Sequence, residues 1–108
     1  MGKVKLANIG IVFDSEKLPA TRSLNLFEGS KILSITADDD NNQPTLWIHF
    51  MYPPENEAKT THQQFNFIIS DYCKSEVEID SYDYIDDVNY NGNNLAVFCN
   101  VSNTMPDV

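Results

Sequence analysis

The sequence predicts an all-β, or nearly all-β, fold: a small antiparallel β-sandwich or barrel of about six to eight strands. Apolar residues recur mainly at every second position, as in half-buried strands. Turn residues such as Asn91-Gly92 separate the alternating segments. No window of about 11 residues keeps the helical spacing i, i+3, i+4, i+7 without an interrupting Pro, Gly or Asp cluster.

Three strands are predicted in the first half of the chain, over residues 4–13, 21–26 and 31–37. The first carries apolar residues close to every second position, with an irregularity expected at residues 8–10. The second is short and alternates polar and apolar residues, and the third is rich in β-branched side chains. Glu28-Gly29 is predicted to turn the chain between the second and third strands.

Four more strands are predicted in the second half, over residues 45–52, 64–70, 82–90 and 95–101. A polar loop is expected at residues 38–44. Residues 45–52 are apolar on both faces, which is typical of a central strand covered on both sides. Within this strand, Trp47 is expected in the core and His49 is expected to be a hydrogen-bonded core or face residue. Asn91-Gly92 predicts a type I′ hairpin, because both residues tolerate a positive φ.

The length of 108 residues fits one domain, which we expect over residues 1–101, followed by a polar tail at residues 102–108. Residues 75–80 are weakly patterned and are the candidate exposed edge for a symmetric homo-oligomer. The first residues lack the apolar stretch of a signal peptide, and no run approaches the ~20 apolar residues of a membrane helix. We therefore expect a cytoplasmic protein in which Cys73 and Cys99 are buried free thiols.

The charge is unevenly distributed along the chain. The formal net charge is −9, from 16 acidic and 7 basic residues. Residues 1–37 hold five basic and three acidic residues, whereas residues 75–108 hold seven acidic residues and no Lys or Arg. Affinity for nucleic acids and anionic membranes depends largely on Lys and Arg. The balance therefore argues against both as direct partners.

The last third contains a set of acidic residues interleaved with tyrosines, and this set is predicted to form an acidic binding face. It comprises Glu76, Glu78, Asp80, Tyr82, Asp83, Tyr84, Asp86 and Asp87. One interpretation assigns these residues no binding role: they form a solvated polar face that keeps a small domain soluble. The functional interpretation is a surface for a basic protein, because complementary charge raises association rates and tyrosine is enriched at interfaces.

The basic residues of the first third offer an alternative site for an anionic small molecule: Lys3, Lys5, Arg22 and Lys31. No cofactor or metal is expected. The run Asp38 to Asn42 matches the first positions of a calcium loop, but Gln43 and His49 occupy positions that require Gly and Glu. No motif of nucleophilic, phosphate-binding or zinc chemistry occurs, so no enzymatic activity is expected.

Residues 26–35, with the sequence LFEGSKILSI, resemble the opening of a family of small uncharacterised bacteriophage proteins, written P-x-G-A-K-I-L-S-V. A following P-x-L-W element is matched by residues 44–47, and a closing Y-I-G-T … G-x-L-V-F hairpin is resembled by residues 84–88 and 94–98. The family's Gly-Thr-Gly-His segment is replaced by residues 70–73. The resemblance implies a phage protein, and the 12 asparagines among 108 residues suit an AT-rich genome.

We therefore expect a non-enzymatic phage accessory protein in the cytoplasm of an infected bacterium. Its expected role is to bind and inhibit a host protein of the defence or nucleic-acid-handling machinery through the acidic set. An oligomeric sponge for a nucleotide-like immune signal, using the basic residues, is the alternative function. A minor virion component is a further alternative.

Overall fold

Seven strands form two antiparallel sheets in the residues that the computed structural model describes, 2–72 and 76–103. One sheet has three strands in the order β1-β4-β3, and the other has four in the order β2-β5-β7-β6. This confirms the predicted all-β sandwich. The strands are β1 (Lys5–Val12), β2 (Ala20–Phe27), β3 (Lys31–Asp40), β4 (Gln43–Tyr52), β5 (His62–Asp71), β6 (Asp83–Tyr90) and β7 (Asn93–Asn103), and a single-turn 3₁₀ helix (Pro54–Ala58) follows β4.

The core lies between the inner faces of the two sheets. Alternate residues of each strand point inward, as the pleat requires. The largest contributions come from β4, β5 and β7, the inner strands of the two sheets. The fully buried side chains are Phe13, Leu46, Ile48, Phe67, Ile69, Ser70 and Val97, and all but Ser70 belong to or adjoin this apolar layer. The predicted alternation of residues 64–70 is therefore confirmed.

Two tight turns connect the hairpins. Asn91 and Gly92 both have positive φ (51° and 80°) between β6 and β7, as the sequence predicted. Asn41 and Asn42 have the same character (52° and 63°) between β3 and β4. The predicted loop over residues 38–44 is therefore too long, since the turn consists of Asn41 and Asn42 alone. Asparagine tolerates the left-handed conformation, so both strands continue up to this two-residue turn.

The prediction that both faces of β4 are covered is wrong for its outer face. β4 is the central strand of its sheet, and its inward residues Leu46, Ile48 and Phe50 are buried. On the outer face only Thr45 is buried, whereas Trp47, His49 and Met51 are half-buried. Side chains of the neighbouring strands partly cover these outer residues. The Thr36 hydroxyl, for example, lies 3.0 Å from Nε2 of the His49 ring. His49 is thus a hydrogen-bonded face residue as expected, whereas Trp47 lies outside the core.

The edge strands differ from the sequence prediction in two places. The pairing of β1 with β4 is continuous, so the irregularity expected at residues 8–10 is wrong. Bulges occur instead at Leu33 in β3 and at Ile85 in β6. Residues 76–80 form no strand, so the described part of the 75–80 edge prediction is also wrong. Its weak alternation belongs to an irregular connection between β5 and β6.

That connection has to return along the sheet, because β5 and β6 are both antiparallel to β7 and hence parallel to each other. Ile68, Ser70 and Ala96 are 2–7% exposed although they lie on the outer face. Tyr72 crosses over this area, since its hydroxyl bonds Asp87 on β6. Tyr72, at the described start of the connection, therefore packs on the outer face of the sheet.

Candidate protein-binding surface

Strand β6 presents its acidic residues in two directions from the edge of the four-stranded sheet. Tyr84 and Asp87 are on the outer face, because their partners Phe98 and Ala96 are outer residues of β7. Asp83 and Asp86 pair with the core residues Cys99 and Val97, so they lie along the inner margin. The bulge at Ile85 separates the two rows. Burial and the nearby Asp83 carboxylate raise the pKa of the Cys99 thiol to about 11.

Strand β3 of the other sheet runs along this same margin. The Tyr90 hydroxyl, at the end of β6, donates a hydrogen bond of 2.6 Å to Asp39 near the end of β3. The Tyr90 ring also packs edge-to-face on Phe13, with 5.7 Å between ring centroids. These contacts place Asp39 beside the end of β6. Asp38 and Asp40 alternate with Asp39 along the same edge strand and direct their side chains to the other face of the sheet. We name as the acidic face the six aspartates on these two edge strands, of which Asp83 lies at the far end of the margin and lines the same depression as Lys31: Asp38, Asp39, Asp40, Asp83, Asp86 and Asp87.

The acidic face differs from the predicted set. The sequence indicates Asp38–Asp40 only as a calcium-like run, because nothing local in it shows that β3 lies beside β6. Within the described residues, no group of three or more His, Cys, Asp or Glu side chains is arranged to hold a metal ion.

The remaining predicted acids lie on the connection that leads into β6. Glu76, Glu78 and Asp80 are exposed and stand outside any strand. Tyr82 is half-buried, and its N–H donates to the carbonyl of Ile79 at 2.8 Å. These four residues therefore lie on the segment that connects to β6, and their part in a binding surface stays a prediction.

Two exposed tyrosines border the acidic face. Tyr84 is 55% and Tyr72 is 49% exposed. The Tyr72 hydroxyl donates to Asp87 at 2.5 Å, and this hydrogen bond raises the pKa of Tyr72 to about 12. Partial burial, followed by the Asp87 carboxylate, raises the pKa of Tyr84, whose ring packs edge-to-face on Phe98. Both phenols are neutral at pH 7 and offer large amphipathic surfaces beside the carboxylates.

The four basic residues of the alternative site are spread over one copy of the chain. Lys5 forms an ion pair of 2.7 Å with Glu57, and Lys31 lies on the far side of β4 from it. Arg22 lies at the opposite end of β1, where its Nε donates to the Val12 carbonyl at 2.9 Å. Lys3 is exposed before β1. Within one copy of the chain, these four residues thus do not line a common pocket. An anion-binding site formed between copies stays a prediction.

Comparisons with known proteins found no match to a family model, to a curated protein or to a solved structure. In the part of the chain that the structure describes, no helix has the length and apolarity to cross a membrane.

Proposed function

We propose that this chain is a non-enzymatic binding protein that docks its acidic face on a basic surface of another protein. The observation that carries the proposal is the contact between Tyr90 and Asp39, which sets the acidic end of β3 beside the end of β6, so that two acidic segments border one margin of the sandwich. Concentrated charge of one sign steers a partner of opposite charge and selects against acidic partners.

The exposed tyrosines support a protein partner in preference to a free cation. Tyr72 and Tyr84 add apolar contact area and hydroxyl groups next to the carboxylates. Interfaces gain most of their energy from such aromatic anchors, whereas solvated charges at the rim contribute mainly to association rate.

A depression of about 510 Å³ beside Tyr72 supports a basic side chain as the group recognised. Leu18, Tyr90 and Asp71 are among the residues that line it. An apolar wall next to a carboxylate suits Lys and Arg, which combine a methylene stem with a cationic head. The depression adjoins the end of β6, so one partner surface can reach both features.

The resemblance to small bacteriophage proteins leads us to propose a host protein as the partner, with inhibition as the consequence of docking. Basic surfaces are common in proteins that handle nucleic acids, because they neutralise phosphates. A row of carboxylates on a sheet edge competes for such a surface. Blocking defence or nucleic-acid-handling machinery in this way requires no catalytic group on the chain.

A pull-down from bacterial lysate tests this proposal. The tagged protein is expected to retain a basic protein at low salt and to release it at high salt, since exposed charges are screened. The triple variant Asp83→Lys, Asp86→Lys, Asp87→Lys is expected to retain none of it. Its thermal unfolding midpoint is expected to fall only by the small amount that losing the exposed Tyr72–Asp87 hydrogen bond brings. The same proteins captured by the triple variant would contradict the proposal.

A matched pair of single variants separates the acidic face from net charge. Asp83→Lys and Glu55→Lys change the charge equally at exposed positions, one on the acidic face and one on the 3₁₀ helix. Asp83→Lys is expected to weaken binding of the captured protein at least tenfold more than Glu55→Lys does. Equal weakening would mean that only the overall charge matters.

A further inference from the structure

The edge of β1 has backbone groups that no part of the described chain binds. The Phe13 N–H donates to Pro44 beside β4 at 3.0 Å, so the odd-numbered residues of β1 direct their backbone groups toward β4. Hydrogen bonding alternates along an antiparallel pair. Leu6, Asn8 and Gly10 therefore direct their N–H and C=O groups outward. The next outward carbonyl, that of Val12, accepts the Arg22 bond.

The other three edge strands carry features that discourage pairing. β3 and β6 each have a bulge and several aspartates. In β2 the Arg22 side chain bonds the carbonyl of Thr21 near one end of the strand, and most side chains on the outer face are polar. β1 has no bulge and no acid, and its Leu6 side chain is 72% exposed. Proteins usually blunt such edges with charge, proline or a bulge, so a flat apolar edge is a template for another strand.

We propose that two copies of this chain pair through β1, antiparallel about a two-fold axis at Asn8. In this register Asn8 faces Asn8 of the second copy, and Leu6 faces Gly10 of the second copy. The outward groups of all three residues are then hydrogen-bonded, and the Val12 carbonyl keeps its bond to Arg22. The two three-stranded sheets become one six-stranded sheet.

The side chains on the outer face are self-complementary in this register. Gly10 offers no side chain, and the Trp47 ring overhangs it, with Cζ3 3.0 Å from the position that a Cβ would occupy. Leu6 of the second copy thus packs against the indole. Val4 of each copy, which is 52% exposed in the single chain, faces Val12 of the other copy, which is 48% exposed. The apolar side chains that β1 exposes on its outer face are therefore covered by a second copy.

Charge also favours a second copy as the occupant of this edge. β1 follows Lys3, and Asp14 and Glu16 come soon after its end. The antiparallel register places Lys3 opposite Phe13 of the second copy, next to Asp14. β1 also lies at the far edge of its sheet from β3. The dimer leaves both acidic faces open, so the proposal does not depend on the proposed function.

Sedimentation equilibrium of the full chain tests the association. The wild type is expected to dimerise, and Leu6→Lys is expected to raise the dimer dissociation constant at least tenfold. Leu33→Lys is the matched control, because Leu33 is 50% exposed on the bulge of β3 in the same sheet. Its dissociation constant is expected to stay within twofold of the wild type. A monomeric wild type, or equal effects of both variants, would overturn the proposal.

Cysteine cross-linking tests the register, with Cys73→Ser as the background. The Cα atoms of residue 8 in the two copies would be about 5.5 Å apart, within reach of a disulfide or a short bis-maleimide. The two copies of residue 12 would be about 27 Å apart, at ~3.4 Å per residue. Asn8→Cys is expected to give covalent dimers and Val12→Cys to give none. Efficient cross-linking through residue 12 would overturn this register.

Discussion

Gly10 is the position where adding a single carbon tests the packing of the outer face. A Cβ atom there would lie 2.9 Å from Thr45 Cγ2, 3.0 Å from Trp47 Cζ3 and 3.1 Å from Trp47 Cη2. Comfortable contacts between carbon atoms are about 3.5–4.0 Å, so the neighbours have to shift by about 0.5–1 Å. Thr45 is 2% exposed on the central strand and has little room to move.

The expected magnitude follows from two opposing terms. Overpacking of this kind costs about 1–3 kcal/mol. Replacing glycine in a strand recovers about 0.4–1 kcal/mol, because the unfolded chain loses conformational freedom. Gly10→Ala is therefore expected to lower the free energy of unfolding by about 1–2 kcal/mol. For a urea m-value of about 1–2 kcal/mol per molar, the midpoint falls by roughly 1 M.

Urea denaturation followed by the fluorescence of Trp47, the single tryptophan, measures this effect. All variants are made in the Leu6→Lys background and compared at one concentration, so that association through β1 does not contribute. Gly2→Ala is the control, because nothing lies within 4 Å of its added carbon. Its free energy of unfolding is expected to stay within about 0.5 kcal/mol of the parent.

A double-mutant cycle identifies the neighbour responsible. In a Trp47→Leu background the ring and its fluorescence are gone, so the unfolding of all four proteins of the cycle is followed by far-ultraviolet circular dichroism. Gly10→Ala is expected to cost at least about 0.5 kcal/mol less there than in the presence of the ring. A Gly10→Ala variant as stable as its parent, with unchanged Trp47 fluorescence, would refute the close packing of the indole on Gly10.

Three further predictions concern other contacts. Tyr90→Phe removes the hydrogen bond to Asp39 and is expected to cost about 0.5–1.5 kcal/mol in urea unfolding; no loss would mean that this bond does not hold the two sheets together. Ultraviolet titration is expected to show Tyr72 ionising near pH 12, and Asp87→Asn is expected to lower that pKa, because the carboxylate stabilises the neutral phenol. The hydrogen bond contributes its full stability below pH 10, the ordinary pKa of tyrosine, and this stability is lost as the pH rises from 10 toward 12. The free energy of unfolding of Asp87→Asn is therefore expected to fall less steeply with pH in this range than that of the wild type. In a chain whose other cysteine is replaced by serine, the buried Cys99 is expected to react with a thiol reagent only on unfolding; rapid labelling of the native protein would contradict its burial.

Local patterns predicted most of the strands. The alternation of Phe65, Phe67 and Ile69 placed β5 correctly, because the period of a strand is visible within a few residues. Asn91-Gly92 predicted its hairpin for the same reason. Asn41-Asn42 was missed as a two-residue turn, since the acids before it resemble a loop in composition although they extend β3.

The candidate surfaces could be predicted only in part. The sequence indicated the acids of β6, because a final third without Lys or Arg is visible in composition. The contribution of Asp38–Asp40 could not be predicted, because β3 and β6 are far apart in sequence and meet only when the sheets stack. The sequence predicted a free edge at residues 75–80, whereas the strand order leaves β1 unpaired on one side.

By itself, the sequence determined the all-β class, the positions of most strands and the concentration of acid toward the C-terminal end. These properties depend on side-chain alternation, turn residues and composition, which are local. Only the tertiary structure decided which acids share a side, which strands are edges, and that Trp47 lies over Gly10 outside the core. Those properties depend on pairing between distant strands, and alternation alone does not specify which strands pair.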